Sequence, residues 1–203
     1  MKRQVDAMDV QAVEGRASSA AASAVAADSL AAIRRQADLM EDTARKQLRA
    51  YICLSGSTVR VTKDRTIEAR ILVKNVGQTP AYSIRSWSLP LFDDYPLTNE
   101  LEPPPPDLFD GAGILPPQGQ GFVEVPPLVN VPIDTLERLA GLTFALYVFG
   151  EVSYADIYGK RHVLRFRLVF GGPAGVQTIA NSDGSRIGEL SMDKIGNEER
   201  NET

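Results

Sequence analysis

Cys53 and His162 are the only cysteine and the only histidine in the 203 residues. A thiol beside an imidazole is an activated nucleophile. Cys53, however, lies in the β-prone run Tyr-Ile-Cys-Leu, where a free cysteine behaves as a small buried hydrophobe, and no nucleophile motif surrounds either residue. No Gly-x-Ser-x-Gly elbow occurs, and one histidine leaves no multi-histidine metal site. Asp93 and Asp94 are adjacent and point opposite ways on an extended chain. Together with Asp107 and Asp110 they miss the spacing of an EF-hand loop. Glu151 and Asp156 flank a hairpin turn, and strand alternation sends them to opposite faces. Gly171, Gly172 and Gly175 follow a strand as a phosphate loop would, but Pro173 removes a backbone donor and the Gly-Lys-Ser/Thr ending is missing. They read as the exit from a domain. No catalytic residue, metal or cofactor is expected.

One cluster remains. Lys160, Arg161, His162, Arg165 and Arg167 crowd one hairpin, with Tyr154 and Tyr158 nearby. The net charge is -4, which argues against nucleic acid as the partner. Tyr154, Tyr158, Arg161, Arg165 and Arg167 are therefore the candidate surface for a protein partner. Trp87, the single tryptophan, is the residue a small-ligand or glycan site would need. A hydrolase using loop carboxylates or Cys53 is the weakest alternative.

The elements that position these residues divide the chain in three. Residues 1–49 hold no proline and one glycine, and are rich in Ala, Gln and Arg, which predicts a helix. Leu30, Ile33, Ala37, Met40 and Ala44 alternate steps of three and four, a heptad seam. Val5, Met8, Ala12, Gly15, Ser19, Ala22 and Ala26 repeat the pattern in small residues, with a phase slip before Leu30. Self-association through this helix is one expectation. A lone helix is the other, since helices need packing partners. No stretch has the ~20 apolar residues of a membrane span, and acidic residues stand where a signal peptide would be apolar. The location expected is cytoplasmic, or peripheral at a membrane.

Residues 50–171 read as strands. Ile67, Ala69, Ile71 and Val73 alternate with Glu68, Arg70 and Lys74. Leu164, Phe166, Leu168 and Phe170 alternate with Arg165 and Arg167, after a turn containing Gly159. Asp134, Thr135, Leu136 and Glu137 have the form of a capping box, which predicts a short helix over 135–140 stopped by Gly141. Residues 90–117 read as a long loop with four consecutive prolines at 103–106, which favours polyproline II. About seven strands in ~120 residues predict a β-sandwich. Residues 172–203 carry too few large apolar side chains to offset chain entropy and are expected to be disordered and acidic.

Three runs carry a resemblance: RKQLRAYI at 45–52, VKNVGQTPAY at 73–82 and YVFGEVSYADIYGKR at 147–161. Over 45–171 the chain resembles a loose group of uncharacterised bacterial proteins with an N-terminal transmembrane helix, a charged helical stalk and an immunoglobulin-like β domain. The resemblance implies a mainly β, immunoglobulin-like antiparallel β-sandwich behind a long N-terminal helix. It implies a scaffold or interaction role and carries over no catalytic residue. The apolar span of that group has no counterpart at the start of this sequence.

Overall fold

A computed structural model of the chain describes residues 2–99, 101 and 110–201. The proline run at 103–106 and Asp107 lie outside the described residues. The chain divides into two units, 1–47 and 48–203. The first is one helix, α1 (Lys2–Leu48). Two ion pairs brace it one turn apart, Glu41–Arg45 at 2.6 Å and Asp42–Lys46 at 2.7 Å, each with the acid on the N-terminal side.

The second unit is mainly β. Its strands are β1 (Ile52–Val61), β2 (Ile67–Asn75), β3 (Ala81–Asp94), β4 (Asp110–Leu115), β5 (Gln120–Glu124), β6 (Phe144–Ala155) and β7 (Arg161–Gly171). β8 (Thr178–Ala180), β9 (Arg186–Gly188), β10 (Ser191–Met192) and β11 (Glu198–Asn201) follow, and α2 (Ile133–Leu139) precedes β6. All pairings are antiparallel. Sheet 1 runs β5-β2-β1-β9-β8; sheet 2 runs β10-β7-β6-β3-β4, with β11 also on β7.

The alternation read from the sequence is the alternation of burial. In β2, Ile67, Ala69, Ile71 and Val73 face inward, and in β7, Phe166, Leu168 and Phe170 do. They meet Ile52, Val59, Val123, Leu146, Val148 and Val152 in one core shared by both sheets. The arrangement is sandwich-like.

Three expectations are corrected. The loop over 90–117 is shorter than expected, because β3 continues through Pro90 to Asp94. The β3–β4 ladder ends at Ser86. Beyond it, among the described residues, β3 is paired with β6 alone, so a residue without an N–H is tolerated on the other side. The capping box does not form: α2 starts at Ile133 with Pro132 at its N-cap and no side-chain cap bond. Pro132 sets the start one turn position earlier and moves Asp134 into the first turn, where its charge suits the helix dipole. Gly141 does close the helix, its N–H donating to the Arg138 carbonyl at 2.9 Å.

The third correction concerns the tail expected to be disordered over 172–203: among its described residues, 172–201, four strands form. β9 adds to the free edge of β1, and β10 and β11 add end to end along the free edge of β7. The tail needs no core of its own. Two finished sheets offer it rows of unpaired N–H and C=O groups. Tight turns return it to them, as at Asn181, whose N–H and C=O bond Ser185 and Gly184. Leu190 and Ser185, at 6% and 2% exposure, anchor it.

Candidate functional site

Three buried polar groups organise the second unit. The first sits where α1 gives way to β1. Asn75 is fully buried at the end of β2 and uses every hydrogen-bonding position of its amide. Its Nδ2 donates to the carbonyls of Thr79 at 2.8 Å and Leu115 at 3.0 Å. Its Oδ1 accepts from the N–H of Gly77 at 3.0 Å and of Tyr51 at 3.2 Å. A Cβ on Gly77 would stand 2.4 Å from the Arg49 carbonyl and 2.6 Å from the Tyr51 nitrogen. The run VKNVGQTPAY is thus a knot joining the start of β1, the β2–β3 turn and the end of β4, and its residue types are those the knot needs.

The second group is at the β6–β7 turn. Asp156 Oδ1 accepts from the N–H of Tyr158 at 2.9 Å and of Lys160 at 3.0 Å, and its Oδ2 lies 2.9 Å from His162 Nε2. Both side chains are buried. The Tyr154 ring stacks on the imidazole at 5.1 Å, and its hydroxyl accepts from the Ile52 N–H at 3.4 Å. Burial pushes the Tyr154 phenol up to about 12. Burial also pushes the Asp156 carboxyl up, but the bonds from His162, Lys160 and Tyr158 outweigh it and hold the group below the usual carboxylate range. The pair is a turn clamp. Cys53 is not its partner, because β1 alternation buries Ile52 in the core and turns Cys53 to the outer face of sheet 1. His162 faces inward beside Tyr154, its cross-strand neighbour.

The sign of the pH effect follows. A carboxyl held below its unfolded value stabilises the fold at pH above that value and loses the contribution as pH falls through the folded value. Acid unfolding below about pH 4 is therefore expected to depend on Asp156. Asp156→Asn should cost about 2 kcal/mol at neutral pH and flatten the acid limb of a melting-temperature profile below about pH 4, the usual carboxylate range. An unchanged acid limb in the variant contradicts the clamp.

The third group lies on the outer face of sheet 2. Here Trp87, Tyr147, Phe149, Glu151, Arg165 and Arg167 point away from the core. Residues 95–99 fold over one end of this face, with Leu97 packed on Ala145 and Tyr147. Arg167, 3% exposed, holds it: its guanidinium donates to the carbonyls of Leu97 and Asn99, both at 3.0 Å. On its other side Nε stands 2.7 Å from Asp193 Oδ2, an ion pair lying off the N–H direction and so not a linear hydrogen bond. Gly172, at φ 63°, belongs to the same packing: a Cβ there would meet the Tyr95 ring at 2.9 Å. Gly171 instead keeps room for Leu139 and the Phe144 carbonyl, and Gly175 faces open space.

Beside Arg167 a cleft of about 110 Å³ opens between sheet 2 and the β10–β11 turn, lined by Trp87, Phe149, Arg165, Ile195 and Glu198. Trp87 and Phe149 meet edge to face at 5.9 Å. Arg165 donates from Nε to Glu151 at 3.0 Å, and Glu198 is its cross-strand neighbour on β11. A larger hollow of about 630 Å³ lies between β7, β9 and the 175–179 segment, but Glu189 is its only charged lining residue.

Of the five residues expected to form a contact surface, two are misplaced by that reading. Tyr154 and Arg167 are buried at 2% and 3% exposure. The first is stacked in the core, and the second is covered by residues 95–99. Tyr158 and Arg161 are exposed at the hairpin end, and Arg165 is half-buried at the cleft. No group of three potential metal ligands occurs among the described residues, and the side chain of Asp110 lies outside them. No helix among the described residues is long and apolar enough to cross a membrane. Sequence reading missed Asn75 and Asp193. Asn75 lies in the turn run VKNVGQTPAY, whereas nothing local marks Asp193 as the partner of a side chain on β7.

Comparison with family models, curated proteins and solved structures gives no match to this chain. The geometry stands alone.

Proposed function

We propose that the second unit is an immunoglobulin-like domain acting as a non-enzymatic protein-interaction module, with the cleft on sheet 2 as its contact point. Strand order supports the first half. With β1, β2 and β5 as A, B and E, and β3, β4, β6 and β7 as C, C′, F and G, the sheets run E-B-A and C′-C-F-G. That order is the one expected of an immunoglobulin-type sandwich without its inter-sheet disulfide, with β9 and β8 added beyond A and β10 and β11 beyond G.

The cleft carries the second half. Small-molecule sites occupy roughly 300–1,000 Å³, whereas about 110 Å³ suits the end of one side chain. Such a pocket fits an anchor residue of a partner. Arg165 and Arg167 are each ion-paired at the cleft, to Glu151 and Asp193, and Glu198 is the carboxylate among its lining residues. A basic side chain, with its stem on Phe149 and its head toward Glu198, fits this better than an anion does. Tyr158 and Arg161 extend the surface at the hairpin. A glycan reading is weaker, because sugars stack on an open aromatic face and Trp87 is 7% exposed.

The test is affinity capture with the full chain, compared with Glu198→Lys and with Lys74→Glu on the outer face of sheet 1. Capture lost at least tenfold in Glu198→Lys and retained in Lys74→Glu is the expected result. Equal capture by all three chains overturns the assignment of the cleft.

A further inference from the structure

Helix α1 presents its apolar seam to solvent: Leu30, Ile33 and Met40 are 50%, 63% and 63% exposed. Written as a heptad, Leu30, Ala37 and Ala44 occupy one seam position and Ile33, Met40 and Gln47 the other. Arg34 and Glu41 flank the seam on one side, Gln36 and Thr43 on the other. We propose that this face is covered by α1 of a second copy of the chain, running antiparallel, with Ala37 of each copy opposite Met40 of the other.

Two independent features select that arrangement. The first is size. A parallel pair sets each residue against itself, so Ala37 and Ala44 face their own copies and leave voids beside a crowded Met40 layer. The antiparallel register sets Ile33 against Ala44, Met40 against Ala37 and Leu30 against Gln47. Every layer then joins a large side chain to a smaller or polar one, and the layers interdigitate.

The second is charge. In an antiparallel pair each flank meets the same flank of its neighbour. Arg34 then faces Glu41 of the second copy, and the two-fold symmetry makes the contact twice. In a parallel pair the flanking contacts are Gln36 with Glu41 and Ser29 with Arg34, and no opposite charges meet. The Glu41–Arg45 pair within the helix leaves Glu41 positioned on this flank. The inference concerns α1 alone and does not depend on the cleft.

The experiment is light scattering and sedimentation on the full chain over a concentration series. The expected wild-type species is a dimer. Arg34→Glu and Glu41→Arg should each weaken it about tenfold, since two attractions become two repulsions. An equimolar mixture of the two variants should recover wild-type affinity, because opposite charges then meet again at both contacts. In a Cys53→Ala background, Ala44→Cys alone should form no interchain disulfide. Its two thiols would lie 11 positions, about 16 Å, apart along the helix, beyond disulfide reach. Mixed with Ile33→Cys chains it should form the heterodisulfide. A wild-type monomer overturns the pairing, as does a dimer indifferent to both charge reversals. A 44-to-44 disulfide overturns the antiparallel register.

Discussion

Asn75→Ala is expected to remove about 4 kcal/mol of stability, read as a large fall in the urea midpoint followed by the fluorescence of Trp87. The variant leaves four backbone groups without their partner around a fully buried side chain: the N–H groups of Tyr51 and Gly77 and the carbonyls of Thr79 and Leu115, the last of them in a buried bond. Each such loss costs about 1–3 kcal/mol. Asn75→Asp separates hydrogen bonding from shape. It keeps the acceptor but turns an oxygen toward two carbonyls. Burial and those carbonyls raise the introduced carboxyl above its unfolded value, so the folded state binds the proton more tightly. The stability of this variant should accordingly rise as pH falls from 7 toward 5, the reverse of the Asp156 effect. A loss below about 1 kcal/mol for the alanine variant would mean that the turn re-forms its bonds with water, and the knot would not be structural.

Arg167→Ala should cost about 3–5 kcal/mol. The change strands the buried Asp193 carboxylate and releases the Leu97 and Asn99 carbonyls, so residues 95–99 lose their hold on the outer face of sheet 2. Arg167→Lys restores a charge but not the fork that reaches both carbonyls and the carboxylate. It should recover less than half of the loss. Replacing both members, Arg167→Met with Asp193→Leu, should be milder than Arg167→Ala alone, because no charge is then left buried without its partner. A double-mutant cycle measures that coupling. Additive single and double effects would show that the two side chains do not act together.

These two residues also show how far the sequence could be read. Asn75 lies in a run whose turn character was plain: Gly77 and Pro80 interrupt a clear alternation. The turn was legible because backbone constraints are local. That Asn75 would saturate its amide was not, because two of its four partners, Tyr51 and Leu115, are 24 and 40 residues away. Arg167 read as a solvated charge on an outer strand face, a sound default. It is buried because residues 95–99 and the tail converge on it, and neither approach is encoded near position 167. Tyr154 was misplaced for a simpler reason. It falls on the inward phase of β6, and the basic cluster around it suggested a surface.

The sequence by itself determined the classes of element: a proline-free helix, alternating strands, the β6–β7 hairpin and the stop at Gly141. Each follows from propensity or a period within about ten residues. Only the tertiary structure decided the fate of 172–203. Judged on its own apolar content the segment should stay unfolded. It orders because β1 and β7, more than a hundred residues and about twenty residues earlier in the chain, present unpaired edges on which short strands can close. Whether a polar segment folds depends on what it can pair with, and that partner belongs to the assembled sheets.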